Sequence, residues 1–227
     1  VRITGGKARG IPLAVPRGDA VRPATDALRQ ALFSSIGARV EGARFLDLFA
    51  GSGAYGLEAL SRGAASGLFV ERDRRTVTCL EKNLAAVSKS LGQRGGEQSE
   101  RMGRIGNAPG ARDHRADFGK ETLPSLARIL TADVTSPSWE TAAAALAPNL
   151  VFIDPPYEII ERIAAPLFSR LLMLFSTQMQ PGGLILPLII FEVPGGLELA
   201  PEGWHCLKRL GGKNFRQPSL LLFEPST

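Results

Sequence analysis

Two cysteines and two histidines in 227 residues exclude several kinds of protein at once. Cys79 and Cys206 stand too far apart for a disulfide framework, and with His114 and His205 isolated they offer no zinc set. So few thiols fit a reducing compartment. Long apolar runs are missing too. The most apolar stretch, Leu184 to Val193, falls far short of the ~20 residues a bilayer needs and contains Pro187 and Glu192. No basic-then-apolar segment opens the sequence. A soluble, cytoplasmic protein is expected. Acids are outnumbered, 22 against 27 lysines and arginines, for a formal net charge of +5. That total leans only modestly toward polyanions, but its distribution says more. Residues 1–44 carry eight cations against three acids, and 204–217 carry Lys208, Arg209, Lys213 and Arg216 with no acid at all. Basic clusters at both ends can flank a site and neutralise phosphates. Hydrophobic content of 44% with 22% charged residues is ordinary for one globular α/β domain.

What is present begins with Asp154-Pro155-Pro156-Tyr157, directly after the apolar run Leu150-Val151-Phe152-Ile153. The run reads as a buried strand, so the four residues sit where it ends. Two prolines fix φ and remove two backbone donors, leaving a rigid turn whose carbonyls point outward. A carboxylate and a carbonyl there suit the two N–H groups of an exocyclic amine, and the Tyr157 ring suits the face of a planar base. Asp-Pro is also common turn chemistry, so a plain strand-ending turn competes with this function.

A second motif, Asp47-Leu48-Phe49-Ala50-Gly51-Ser52-Gly53-Ala54-Tyr55-Gly56, follows a strand over Arg44 to Phe49 and opens a helix closed by Gly63. Its glycines let the backbone turn tightly and approach a ligand, at a helix N-terminus rich in free N–H groups. Gly51, Gly53 and Gly56 also spell the dinucleotide fingerprint. Asp47 would repel a pyrophosphate, however, and welcome an ammonium or sulfonium. Leu68-Phe69-Val70-Glu71 then ends a second strand in an acid, about 20 residues on, where a ribose contact belongs. Asp133, just past a third strand at Ala127 to Leu130, can accept from an adenine amino group or serve as a turn acid. Together these motifs imply S-adenosyl-L-methionine at the first strand and an amine substrate at the fourth.

Elsewhere, residues 1–16 read as a cationic hairpin turning near Gly5-Gly6. Thr25 caps a helix carrying Leu28, Leu32, Phe33 and Ile36, with Arg22 and Asp26 at its start, where they either order a substrate-facing loop or cap the helix. Val77, Leu80, Leu84 and Val87 mark another amphipathic helix. From Ser88 to about Thr122 large apolar residues almost vanish, which predicts a flexible insertion or loop; its arginines (94, 101, 104, 112 and 115) form either a solvated surface or an RNA-touching arm. A helix over Ile159 to Met173, a turn at Gly182-Gly183 and a strand from Leu184 to Val193 come next. Strands at Trp204–Leu210 and Leu220–Glu224 close the chain as an antiparallel hairpin. The alternation predicts an open, mostly parallel seven-stranded sheet with helices on both faces and ligands at its carboxyl edge.

On these residues the chain resembles the bacterial RsmD family of 16S rRNA (guanine-N2)-methyltransferases. The blocks that carry the resemblance are Arg2-Ile3-Thr4-Gly5-Gly6-Lys7, Arg22-Pro23-Ala24-Thr25-Asp26, Leu46 through Ala64, Val70-Glu71-Arg72-Asp73, Asn83-Leu84 and Phe152 through Tyr157. The insertion at 88–122 and the long apolar segment before Glu192 depart from it. The resemblance implies a class I (Rossmann-like) methyltransferase domain over residues 41–227. Residues 1–40, a small N-terminal β-hairpin and a helix, would face the rRNA. It also implies a monomer acting on the small ribosomal subunit or its assembly intermediate. Asp154, Pro155, Pro156 and Tyr157 are then catalytic. Asp47, Phe49, Ala50, Gly51, Ser52, Gly53, Glu71, Arg72, Asp133, Val134 and Asp154 hold the cofactor. Arg9, Arg22, Thr25, Asp26, Lys213 and Arg216 meet the RNA. Since the tetrapeptide reads an amine rather than one base, an adenine-N6 methyltransferase acting on DNA or RNA remains the alternative.

Overall fold

The computed structural model describes residues 1–16, 25–103, 126–176 and 186–226, with backbone alone for 93–103. Seven strands, β1 Arg44–Leu48, β2 Ser66–Glu71, β3 Ala127–Thr131, β4 Leu150–Ile153, β5 Leu188–Pro194, β6 Trp204–Gly211 and β7 Pro218–Pro225, form one sheet of order β3-β2-β1-β4-β5-β7-β6. The first five run parallel, and β7 pairs antiparallel with both β5 and β6. The predicted sheet and closing hairpin are therefore present.

Side-chain alternation along each strand sorts the core into two halves. Phe45, Phe69, Phe152, Ile190 and Leu222 share one cluster with helices α1 (Asp26–Ile36), α2 (Ala54–Ser61) and α3 (Arg74–Gly103). Leu46, Val70, Ile153, Phe191 and Phe223 share the other with α4 (Glu140–Leu146) and α5 (Ile160–Ser176). Both faces are covered, as a parallel sheet requires. Thr25 caps α1 as predicted, its hydroxyl accepting from the Leu28 N–H at 3.2 Å. Gly63 follows α2 with φ of +104°, in the region that favours glycine.

Three expectations need correction. No N-terminal β-hairpin is seen among the described residues; one antiparallel bridge, Arg2 to Pro12, joins the limbs of a loop. Its groups are satisfied by α2 instead of by a partner strand. The Thr4 N–H and hydroxyl both donate to the buried Glu58 carboxylate, at 2.6 and 2.7 Å, and the Ala8 N–H donates to Ser61 Oγ at 2.8 Å. The segment from Ser88 to Gly103 is not loop but the continuation of α3. Loss of an apolar stripe does not by itself end a helix; Lys89, Gln93, Arg94, Glu97, Gln98, Glu100, Arg101 and Met102 are good helix formers, set against the weaker Gly92, Gly95 and Gly96. Residues 104–122 of the predicted insertion lie outside the described residues, as do Arg22 and the Gly182-Gly183 turn. The fifth strand begins at Leu188 rather than Leu184, so Pro187 precedes the ladder, where its missing N–H costs no strand bond.

Candidate active site at the carboxyl edge of the sheet

Four adjacent strands, in the order β2-β1-β4-β5, each bring an acid to one edge and one face. Period-two alternation puts Glu71 with Phe69, Asp47 with Phe45, Asp154 with Phe152, and Glu192 with Ile190, all toward α1–α3. Asp47 lies level with Phe69 and Phe152, one step deeper than the others. Asp154 and Glu192 follow the paired residues Ile153 and Phe191, which makes them neighbours.

Asp47 is only 1% exposed, and its Oδ2 accepts the Gly56 N–H at 3.0 Å, inside the first turn of α2. Burial pushes its carboxyl well above the ordinary range; the Gly56 bond opposes that and Glu71 adds to it. The turn from Phe49 to Gly53 holds a strained backbone: Phe49, Gly51 and Gly53 have φ of +60°, +55° and +81°. Its glycines do different jobs. A Cβ on Gly53 would meet Leu80 at 2.3 Å, and one on Gly56 would meet Phe69 at 2.4 Å and Phe45 at 2.5 Å. These two are packing glycines. At Gly51 the nearest atom, the Phe49 carbonyl, is 3.9 Å away, which leaves space for a ligand. The loop is held from below: Gly51 N–H donates to Glu71 Oε2 at 3.0 Å, and Asn83 Nδ2 donates to the Ser52 carbonyl at 2.9 Å. The Ala50 N–H donates to the Val70 carbonyl at 3.1 Å.

At β4 the Asp154 N–H donates to the Leu48 carbonyl at 3.3 Å, so the tetrapeptide is pinned to β1 where it leaves the sheet. Burial, then Glu192, then Asp47, pushes the part-buried Asp154 carboxyl well above its ordinary value. The Pro156 carbonyl accepts from Ile159 at 3.1 Å, so it is spent on the following turn. Tyr157 keeps 41% of its surface exposed, and its hydroxyl reaches Glu192 Oε1 at 3.5 Å. The other Glu192 oxygen accepts from the buried Tyr55 hydroxyl at 2.6 Å. Burial raises the Glu192 carboxyl to about 7, while the two tyrosine bonds and Arg29 hold it down. Neither Tyr55 nor Glu192 was among the sequence candidates. The only signal was an acid inside an otherwise apolar strand.

Asp133 lies past β3, and its Oδ1 accepts from the Thr135 N–H and hydroxyl, both at 2.8 Å. Those bonds hold its carboxyl below the usual range against partial burial, with help from Arg72 at 3.6 Å. The turn role is thus filled by Oδ1, while Oδ2 faces Arg72. Beside it, Phe49, Val134, Thr135, Ile163 and Leu167 line a cavity of about 310 Å³.

The residues predicted to meet RNA divide into two groups. Thr25 and Asp26 are committed to local structure: Asp26 binds Arg29 at 2.7 Å and Arg2 at 3.1 Å, and Arg29 is fully buried. Arg9, Lys213 and Arg216 are exposed. Lys213 and Arg216 stand on the β6–β7 loop, at the carboxyl edge, since Pro218 pairs with Pro194 at the end of β5.

The family model described as conserved hypothetical protein 95 matches residues 1–108. The ribosomal RNA small subunit methyltransferase D of Escherichia coli (strain K12) is 31% identical over 204 residues, 90% of this chain and 81% of that protein. Its namesake from Haemophilus influenzae is 39% identical over 93 residues, 41% of this chain and 48% of that one. The solved structure of a hypothetical protein from Thermus thermophilus superposes with a TM-score of 0.61 and 29% identity, covering 98% of both chains. With its acid edge, glycine turn and Asp-Pro-Pro-Tyr tetrapeptide in the places described, the chain belongs to the ribosomal RNA small subunit methyltransferase D family.

Proposed function

We propose that this protein transfers a methyl group from S-adenosyl-L-methionine to the exocyclic N2 amine of a guanine in 16S rRNA of the small ribosomal subunit. The observation that carries this reading is the position of Asp154 and Tyr157 one strand from the glycine turn, on the same edge of the sheet. The acid row and the open space at Gly51 fit a cationic, ribose-bearing ligand. Bound there, the cofactor supplies an electrophilic methyl on a sulfonium.

Around it, each residue has a distinct part. Asp47, Ala50, Gly51, Ser52 and Gly53 form the cradle, and Glu71 takes the ribose hydroxyls with Arg72 alongside. Asp133 would accept from the adenine amine, with Phe49 and Val134 lining the space for its ring. Asp154 and the Pro155 carbonyl accept the two hydrogens of the guanine amine. That amine is a poor nucleophile because its lone pair is conjugated into the ring; the two acceptors would localise the pair, and the Asp154 carboxylate would take the proton that the amine loses on methylation. Pro156 stiffens the turn, and Tyr157 stacks on the base flipped out of its helix. Positioning supplies much of the rate.

Arg9, Arg22, Lys213 and Arg216 neutralise phosphates, and Thr25 and Asp26 order the start of α1. Residues 1–40 form the rRNA-facing extension to a methyltransferase domain at 41–227. Every proposed group comes from one copy, so a monomer in the cytoplasm suffices. The test is Asp154→Ala: turnover should vanish while calorimetric affinity for the cofactor stays nearly intact. Equal loss of both would overturn the assignment.

A further inference from the structure

Glu192 is an acid in the heart of the sheet. It is 2% exposed, and its strand neighbours Phe191 and Val193 pack into the opposite core. A buried carboxylate is costly unless its oxygens are bonded. Tyr55 meets that need alone on one oxygen: it is 4% exposed, its ring is stacked on Phe152 at 5.5 Å and 13°, and its hydroxyl donates at 2.6 Å. The second oxygen needs a donor as well, and Tyr157 supplies it from the site rather than from the core. Tyr157 reaches in from a ring left 41% exposed, and its 3.5 Å contact is long enough to tighten when a base settles on that ring.

We propose that Glu192 is a positioning residue for the substrate base: anchored by Tyr55, it tethers the Tyr157 hydroxyl and fixes the stacking ring beside Asp154. The inference rests on the methyl transfer proposed above and assigns that site a residue outside its motifs. The groups facing Glu192 are Tyr55 from α2, Tyr157 and Asp154 from the turn after β4, and Arg29 from α1. Ionised, Glu192 accepts from both hydroxyls. Protonated, it gives up an acceptor site and the tether weakens. The rate constant should therefore rise with pH through about 7.

The test is kcat and KM for unmethylated small subunits, measured for the wild type, Tyr157→Phe, Glu192→Gln and the double variant. Each single change should lower kcat/KM on the order of tenfold, leaving cofactor affinity unchanged, and the double should be no worse than one single. In Glu192→Gln the limb near 7 should disappear, and any limb that Asp154 sets should lie lower than in the wild type, because Asp154 loses a like-charged neighbour. Tyr157→Phe removes one oxygen from a half-exposed ring and cannot unfold the core. Wild-type kcat/KM in that variant, or additive losses in the double, would overturn the inference alone. A wild type that methylates no RNA would overturn the proposed function as well.

Discussion

The Gly51 N–H donates to Glu71 Oε2 at 3.0 Å, tying the turn after β1 to the end of β2. Glu71 Oε1 accepts from the Asp73 N–H at 2.9 Å, so one carboxylate braces the turns that follow β1 and β2. It is also the proposed ribose ligand. Glu71→Ala should therefore weaken S-adenosylhomocysteine binding by tenfold or more, on the scale of about 1.5–3 kcal/mol for hydrogen bonds to a charged group. Titration calorimetry reads this directly, and an unchanged Kd would contradict the role.

The glycines of the turn should separate under substitution. Gly56→Ala drives a Cβ into Phe45 and Phe69 and should cost about 1–3 kcal/mol of stability by overpacking. Gly51→Ala meets no neighbour closer than 3.9 Å but is strained at φ of +55° and fills the ligand's space. It should spare most of the stability and lose cofactor binding. Denaturation curves and calorimetry on the two variants check this, and cofactor affinity unchanged in Gly51→Ala would show that the turn is merely structural.

Thr4 and Glu58 join two segments that sequence resemblance marks separately. The buried Glu58 carboxylate accepts both Thr4 donors and pairs with Arg62 at 2.8 Å. Glu58→Gln keeps the shape and swaps one acceptor for a donor, which should cost about 1–3 kcal/mol in urea denaturation. Wild-type stability would show that the N-terminal segment is only loosely attached.

Stability should fall as pH rises from about 5 to 8. Burial raises the carboxyls of Asp47, Asp154 and Glu192, so in this window the folded state binds more protons than the unfolded state. Asp26 has the opposite sign: despite some burial, Arg29 and Arg2 hold it down, and its contribution is lost only as pH falls below the ordinary carboxylate range. Glu192→Gln should flatten the decline between pH 5 and 8. An unaltered slope in urea melts would show that Glu192 does not titrate there.

Lys213 and Arg216 sit exposed at the carboxyl edge with no acid in the 204–217 stretch. If each neutralises one phosphate, replacing either by alanine should reduce the salt slope of log K for rRNA by about 1. A slope equal to that of the wild type would place the RNA elsewhere.

How far the sequence disclosed this site depended on what each residue had around it. Asp47, Glu71 and Asp154 end strands beside turns, and turn chemistry is local enough to read from spacing. Glu192 was hidden because β5 is apolar on both faces, so alternation along Leu188 to Val193 says nothing about which way the acid points. Its meaning comes from Tyr55 and Tyr157, 137 and 35 residues away. The N-terminal loop looked like a hairpin because its glycines suit a tight turn. Glu58 and Ser61, far along the chain, supply the partners that a second strand would have given. Helix α3 outran its prediction for another reason: beyond Ser88 it has no apolar stripe, and Gly92, Gly95 and Gly96 lower its propensity, so neither local signal announces a helix there.

The most direct test of the central claim is transfer of labelled methyl from S-adenosylmethionine to unmethylated small subunits and to naked 16S rRNA, followed by nucleoside mass spectrometry. The account predicts N2-methylguanosine, made by the wild type and absent with Asp154→Ala. N6-methyladenosine, or no methylated nucleoside despite tight cofactor binding, would contradict it.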